Sequence, residues 1–171
     1  MSNTTENIIL IGMPGAGKST LGVVLAKILG YEFIDADLLI QGKLDKTLQK
    51  IIDACGPDGF IEVENEVLCT LTAKHAVIAT GGSAVYSDEA MRHLGSIGTV
   101  VYLKVSYEEL ESRLGGLHER GVVMKNGTGS LADLFEERRP LYEKYADLTI
   151  DIDGMSVRDA ARSLVDQLSM R

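Results

Sequence analysis

The chain has 171 residues, 45% hydrophobic and 25% charged, with a formal net charge of −8. Its length suits one domain and its composition fits neither a disordered nor a membrane-embedded protein, so a single soluble globular domain over residues 1–171 is expected. The acidic balance, with a pI near 4.9, opposes attraction to a nucleic-acid backbone, and no nucleic-acid partner is expected.

Apolar runs such as Ile8 to Ile11 and Val100 to Leu103 are far shorter than the roughly 20 residues of a membrane span. The polar start Met1 to Glu6 lacks the basic and apolar regions of a signal peptide. A cytoplasmic protein without membrane contact, and a monomer, are expected. Cys55 and Cys69 have no metal or redox spacing and are expected as small core hydrophobes.

Taken in chain order, Asn7 to Ile11 predicts a buried strand, and Gly12-Met13-Pro14-Gly15-Ala16-Gly17-Lys18-Ser19 follows it with the spacing of a phosphate-binding loop. A loop that turns backbone N–H groups inward around an anion must visit φ > 0 and come close to phosphate, which Gly12, Gly15 and Gly17 allow. The helix beginning near Gly17 adds unpaired N–H groups and the positive end of its dipole, with Ala16 and Thr20 in the same cradle. Lys18 supplies a mobile positive charge for the outer phosphates, and Ser19 offers a hydroxyl to Mg²⁺. A nucleoside triphosphate is the predicted ligand, and the loop alone does not choose ATP over GTP.

Tyr31 to Ile34 predicts a second strand ending at Asp35-Ala36-Asp37, and Leu38 to Ala73 a helical region broken at Cys55-Gly56-Pro57-Asp58-Gly59. His75 to Thr80 predicts a third strand, closed by Gly81-Gly82-Ser83, and Ser87 caps a helix to about Leu94. Thr99 to Lys104 is the fourth strand, and Ser106 with Glu109 forms a capping box for a helix to Leu114. Gly115 to Gly129 is long for an idle connection. With Arg113 before it and Arg120 and Lys125 inside it, it is expected as a lid carrying positive charge. Leu131 to Tyr145 predicts a helix, Leu148 to Ile152 a fifth strand, and Ser156 the start of a last helix ending near Leu168.

Strands alternating with helices in this way predict an α/β fold with a parallel sheet covered on both faces and ligands at the carboxyl ends of the strands. Asp35 and Asp37 stand at such an end. The pattern is also that of a helix cap, but beside a phosphate-binding loop a metal-side acid and a substrate-side acid are what phosphoryl transfer needs. Arg138 and Arg139 read either as ligands or as surface charges, and Glu64 as a solvated helix residue.

The ordered set of the phosphate-binding loop, Phe33-Ile34-Asp35-Ala36-Asp37, Gly59-Phe60-x-x-x-Glu64, Gly81-Gly82, the Arg113 to Arg120 spacing and Arg138-Arg139-Pro140-Leu141-Tyr142 resembles the shikimate kinase family of small P-loop kinases over nearly the whole chain. The resemblance implies a three-layer P-loop kinase fold. It has a five-stranded parallel sheet in order 2-3-1-4-5, a mobile lid at about 115–129 and a helical substrate-binding region at about 36–73. It implies ATP and Mg²⁺, and phosphorylation of a hydroxyl of shikimate to shikimate 3-phosphate.

By position, Lys18, Asp37 and Arg120 are implied as catalytic, Ser19 and Asp35 as the metal side, and Arg113 as the arginine beside adenine. Asp37, Gly81, Gly82, Ser83 and Arg138 are implied around the substrate, with Arg138 on its carboxylate. The chain departs from the family pattern at Ile61, where a second carboxylate-binding arginine is usual, at Ser83 in place of a third glycine, and at Gly121 in place of proline. Ile61 and Ser83 favour, as an alternative, another small polyol or hydroxy acid as acceptor. A non-catalytic nucleotide-binding regulatory domain is the other alternative, against which Asp35, Asp37 and Arg120 speak, since nucleotide binding alone does not need Asp37.

Overall fold

The computed structural model describes residues 7–114 and 129–171. Arg120 and the expected lid, apart from Gly129, lie outside the described residues. Five strands, β1 (Asn7–Ile11), β2 (Glu32–Asp35), β3 (Ala76–Ala79), β4 (Gly98–Lys104) and β5 (Leu148–Asp151), form one sheet in the order β2-β3-β1-β4-β5. Every pairing is parallel, with Ile9 opposite both Ile78 and Val100. All of β1 is buried, which requires cover on both faces and explains its unbroken apolar sequence. Asn7 is the polar exception. Its Nδ2 donates to the Ala73 and Ile97 carbonyls at 2.8 and 2.9 Å, and its Oδ1 accepts from Ala76 N at 3.0 Å, so the buried amide ties three segments together at the foot of the sheet.

The helices are α1 (Lys18–Leu29), α2 (Ala36–Leu44), α3 (Leu48–Cys69), α4 (Asp88–Ile97), α5 (Tyr107–Arg113), α6 (Leu131–Tyr145) and α7 (Val157–Ser169). Helix α1 packs on β1, β2 and β3 beside α7, whereas α3 packs beside α4, which lies on β1 and β4. No helix among the described residues is long and apolar enough to cross a membrane.

Several local readings change. The helical region after β2 breaks first at Asp45, which ends α2 in the left-handed conformation (φ 50), before Thr47 caps α3. The expected break at Cys55–Gly59 is a kink at Gly56 (φ 74, ψ 175), and α3 ends at Cys69 rather than Ala73. Ala84–Tyr86 adds a 3₁₀ turn. Ser106 accepts from Glu109 N at 3.3 Å, but Glu109 turns to Arg113 and Ser106 N donates to Asp153, so only half of the capping box forms. The complete box is at Ser130 and Asp133. Cys55 is exposed and is not the core hydrophobe expected, whereas Cys69 is half-buried and packs against the core cluster.

Candidate active site

The loop after β1 and the start of α1 form one wall of the site. Gly17 sits at φ 90 immediately before α1, and a Cβ there would meet nothing within 4 Å, so its glycine answers to backbone conformation rather than to crowding. Lys18, the first residue of α1, is buried, and its Nζ donates to the Gly12 and Met13 carbonyls at 2.8 and 2.9 Å. Burial pushes its pKa down to about 8, opposed by the Asp37 carboxylate and reinforced by the Arg138 charge, with Asp35 and Glu64 also raising it. Ser19 Oγ donates to Asp35 Oδ2 at 2.9 Å, while Asp35 Oδ1 accepts from Asp37 N and Leu38 N at 3.0 and 3.2 Å. One carboxylate thus caps α2 and faces Ser19. Arg113, at the end of α5, donates through Nη1 to the Gly15 and Ala16 carbonyls at 3.3 and 3.4 Å and pairs with Glu109.

The opposite wall comes from α2, α3, the turn after β3, and α6. A cleft of about 290 Å³ is lined by Gly15, Gly17, Lys18, Ser19 and Thr20 on the loop side, and by Asp37, Phe60, Gly81, Gly82, Ser83 and Arg138 opposite. Asp37 has its pKa raised, first by burial and then by the neighbouring Asp35 charge, with Lys18 acting against both. Arg138 is completely buried; its Nε donates to Tyr86 Oη at 3.2 Å and its guanidinium lies 5.1 Å from the Tyr86 ring centre. Tyr86 in turn donates to Glu137 at 2.5 Å. Tyr142 Oη donates to the Gly82 carbonyl at 2.7 Å, which fixes the turn against α6. The glycine pair is needed for space: a Cβ at Gly82 would stand 2.8 Å from Arg138 Nη1, and one at Gly81 2.6 Å from Glu64 Oε2.

Arg139 turns outward onto Glu136 and the Phe135 ring and does not line the cleft. Ile61 is half-buried against the satellite cluster of Ile40, Ile51, Phe60 and Val67. Glu64 is the main correction: it is 1% exposed, not solvated, and accepts from Ser83 Oγ at 2.6 Å. Burial raises its pKa to about 7, against the lowering effect of the Ser83 bond. The signal was its place one turn beyond Phe60, on the face that Phe60 turns inward. Tyr86, which holds Arg138, carried no such signal, and Tyr142, which holds the turn, stood in the Arg138 to Tyr142 run with no role assigned to it.

The sheet order and the loop geometry define a P-loop kinase fold. Independent comparisons agree. The family model described as shikimate kinase matches residues 14–169. A shikimate kinase of Vibrio parahaemolyticus is 38% identical over 168 residues, covering 97% of this chain and 98% of the relative. The solved shikimate kinase of Acinetobacter baumannii in complex with shikimate superposes with a TM-score of 0.88 at 36% identity, covering 96% of this chain and 93% of that one. The Aquifex aeolicus shikimate kinase gives 0.81 at 30% identity, covering 95% and 96%. The chain belongs to the shikimate kinase family.

Proposed function

We propose that this protein is a single-domain ATP-dependent kinase that transfers the γ-phosphoryl group to a hydroxyl of shikimate, giving shikimate 3-phosphate. The observation that carries the reading is the cleft itself, where the phosphate-binding loop with Lys18 and Ser19 faces a wall bearing Asp37 and Arg138. Such a wall offers an acid for hydroxyls and a guanidinium for a carboxylate.

The donor set fits Mg²⁺ with a nucleotide, because Ser19 and Asp35 bring hydroxyl and carboxylate oxygens within 2.9 Å of each other beside the loop. Ser19 would hold the ion directly and Asp35 through its water shell. When bound, Mg²⁺ neutralises charge on the phosphate oxygens.

Phosphoryl transfer passes through a loose transition state, so these residues act mainly by placement and electrostatics. Lys18 binds the outer phosphates, and its burial strengthens the interaction. Asp37 orients the attacking hydroxyl and receives its proton. Arg138, held by Tyr86, binds the acceptor carboxylate. Arg113, fastened to the Gly15 and Ala16 carbonyls, borders the nucleotide side. Arg120 is assigned by sequence position to the transferring phosphoryl group.

A different hydroxy acid is the second reading. It is favoured by Ile61, which leaves Arg138 as the one cation on the acceptor wall among the described residues that line the cleft. A coupled ADP-release assay over shikimate, other hydroxy acids, polyols and nucleoside monophosphates tests both. Highest kcat/KM for shikimate supports the first reading, and a preference for another acceptor by tenfold or more replaces it with the second.

A further inference from the structure

The turn after β3 brings Ser83 onto the only carboxyl group of α3 that is fully buried among the described residues. Glu64 Oε1 accepts from the Ser83 hydroxyl at 2.6 Å, and both side chains are shielded from solvent. Glu64 Oε2 has no hydrogen-bond partner among the described residues. Its direction can be read from Gly81. A Cβ built at Gly81 would lie 2.6 Å from Glu64 Oε2 and 2.9 Å from Asp37 Oδ1, so the two carboxyl groups converge on the same face of that residue. Gly81 and Asp37 both line the acceptor wall.

On α3, position 61 stands three residues before Glu64 on the same helical face. The isoleucine there has no donor to offer, and it packs into an apolar cluster instead. The charged groups that act on Glu64 are Asp37 from α2, Arg138 from α6 and Lys18 from α1. The orienting hydrogen bond comes from Ser83.

We propose that Ser83 is a positioning residue of the acceptor site, acting through Glu64. Its hydroxyl fixes the buried carboxyl so that Oε2 stands behind Gly81 next to Asp37, holding the Asp37 carboxyl and the Gly81-Gly82 backbone in register for the acceptor hydroxyl. This rests on the proposed phosphorylation of shikimate. A buried carboxyl with a single orienting bond has alternative rotamers once that bond is lost, and its charge then moves relative to Asp37. The disturbance falls on the acceptor side, whereas Lys18 and the loop carbonyls that it bonds keep the nucleotide side in place.

Ser83→Ala tests this, with Ser83→Gly as a second variant that adds no volume, each measured alone and combined with Glu64→Ala, which removes the acceptor. The expected result is a shikimate KM raised about tenfold or more in either variant, the lower end of what loss of one hydrogen bond to a charged group costs. The ATP KM should stay within about twofold, and the shikimate effect should fall below about twofold in the Glu64→Ala background, where Ser83 has no carboxyl to orient. A residue that served only to fill space would act equally in both backgrounds, and that result would overturn the proposal.

The second readout needs no substrate. Titration of the Glu64 carboxyl by ¹³C NMR should show its midpoint rising by about one pH unit in Ser83→Ala, because the lost bond favours the charged form. An unchanged midpoint overturns the coupling. A wild type that does not turn over shikimate refutes the proposed acceptor instead, and leaves the titration to decide between coupling and none.

Discussion

Replacing Glu64 by glutamine should stabilise the protein at alkaline pH and do much less at acid pH. The carboxyl is fully buried, so its pKa of about 7 against 4.5 for the free group is a property of the folded state. Between these values the native protein holds a proton that the unfolded chain has released, and stability falls as pH rises. At about 1.36 kcal/mol per unit of pKa, the full effect is about 3 kcal/mol. It is complete above pH 7, where the fold carries a buried carboxylate, and absent below the unfolded pKa.

Glutamine is close to isosteric and keeps a polar atom for Ser83, but it has no proton to lose. The difference in unfolding free energy between Glu64→Gln and wild type should therefore widen by about 2.5 kcal/mol from pH 5 to pH 8. For a chain of this size that corresponds to roughly 5–10 °C in Tm. Urea unfolding of both proteins at the two pH values, with m-values compared, measures it. A difference that is equal at pH 5 and pH 8, or that narrows, would mean that Arg138 and Lys18 already compensate the carboxylate, and the reasoning from burial would fail.

Lys18→Ala should lower kcat by about 10² to 10³ while leaving the circular dichroism spectrum and melting temperature near wild type, since the ammonium bonds loop carbonyls rather than core groups. In the wild type, kcat/KM for ATP should decline above about pH 8, where the free enzyme's Lys18 loses its proton; a flat profile to pH 9.5 would contradict that assignment. Ile61→Arg should lower the shikimate KM. A second charge-assisted bond to the carboxylate contributes about 1.5–3 kcal/mol, offset by about 1 kcal/mol for taking the isoleucine out of its half-buried cluster. The net expectation is an improvement of about 2- to 30-fold in steady-state kinetics, and an unchanged or higher KM would show that the site does not want a second guanidinium.

The sheet and the phosphate-binding loop were legible because each depends on local pattern. Runs such as Ile8 to Ile11 have no alternative to burial, and the Gly-Lys-Ser step before a helix has a geometric reason that any sequence displays. The strand order came from the family resemblance, since no single strand records its neighbours. Burial of Glu64 was hidden because an acid in a helix defaults to solvent. Only the meeting of α3 with the turn after β3, residues nineteen apart in the chain, puts it inside. The end of α2 escaped notice for a different reason: it stops at Asp45, an aspartate in a conformation usually signalled by glycine. The Arg138 and Arg139 pair split only when α6 was set on the turn, which buries the first and leaves the second with Glu136.

Transfer of phosphate to shikimate is tested most directly by ³¹P NMR of the wild-type protein with MgATP and shikimate. The account predicts loss of the γ-phosphate signal with equal gain of ADP and of a single phosphomonoester, and little inorganic phosphate. Consumption of ATP to inorganic phosphate alone, or no consumption while the nucleotide binds, would contradict it and leave a nucleotide-binding domain without the proposed activity.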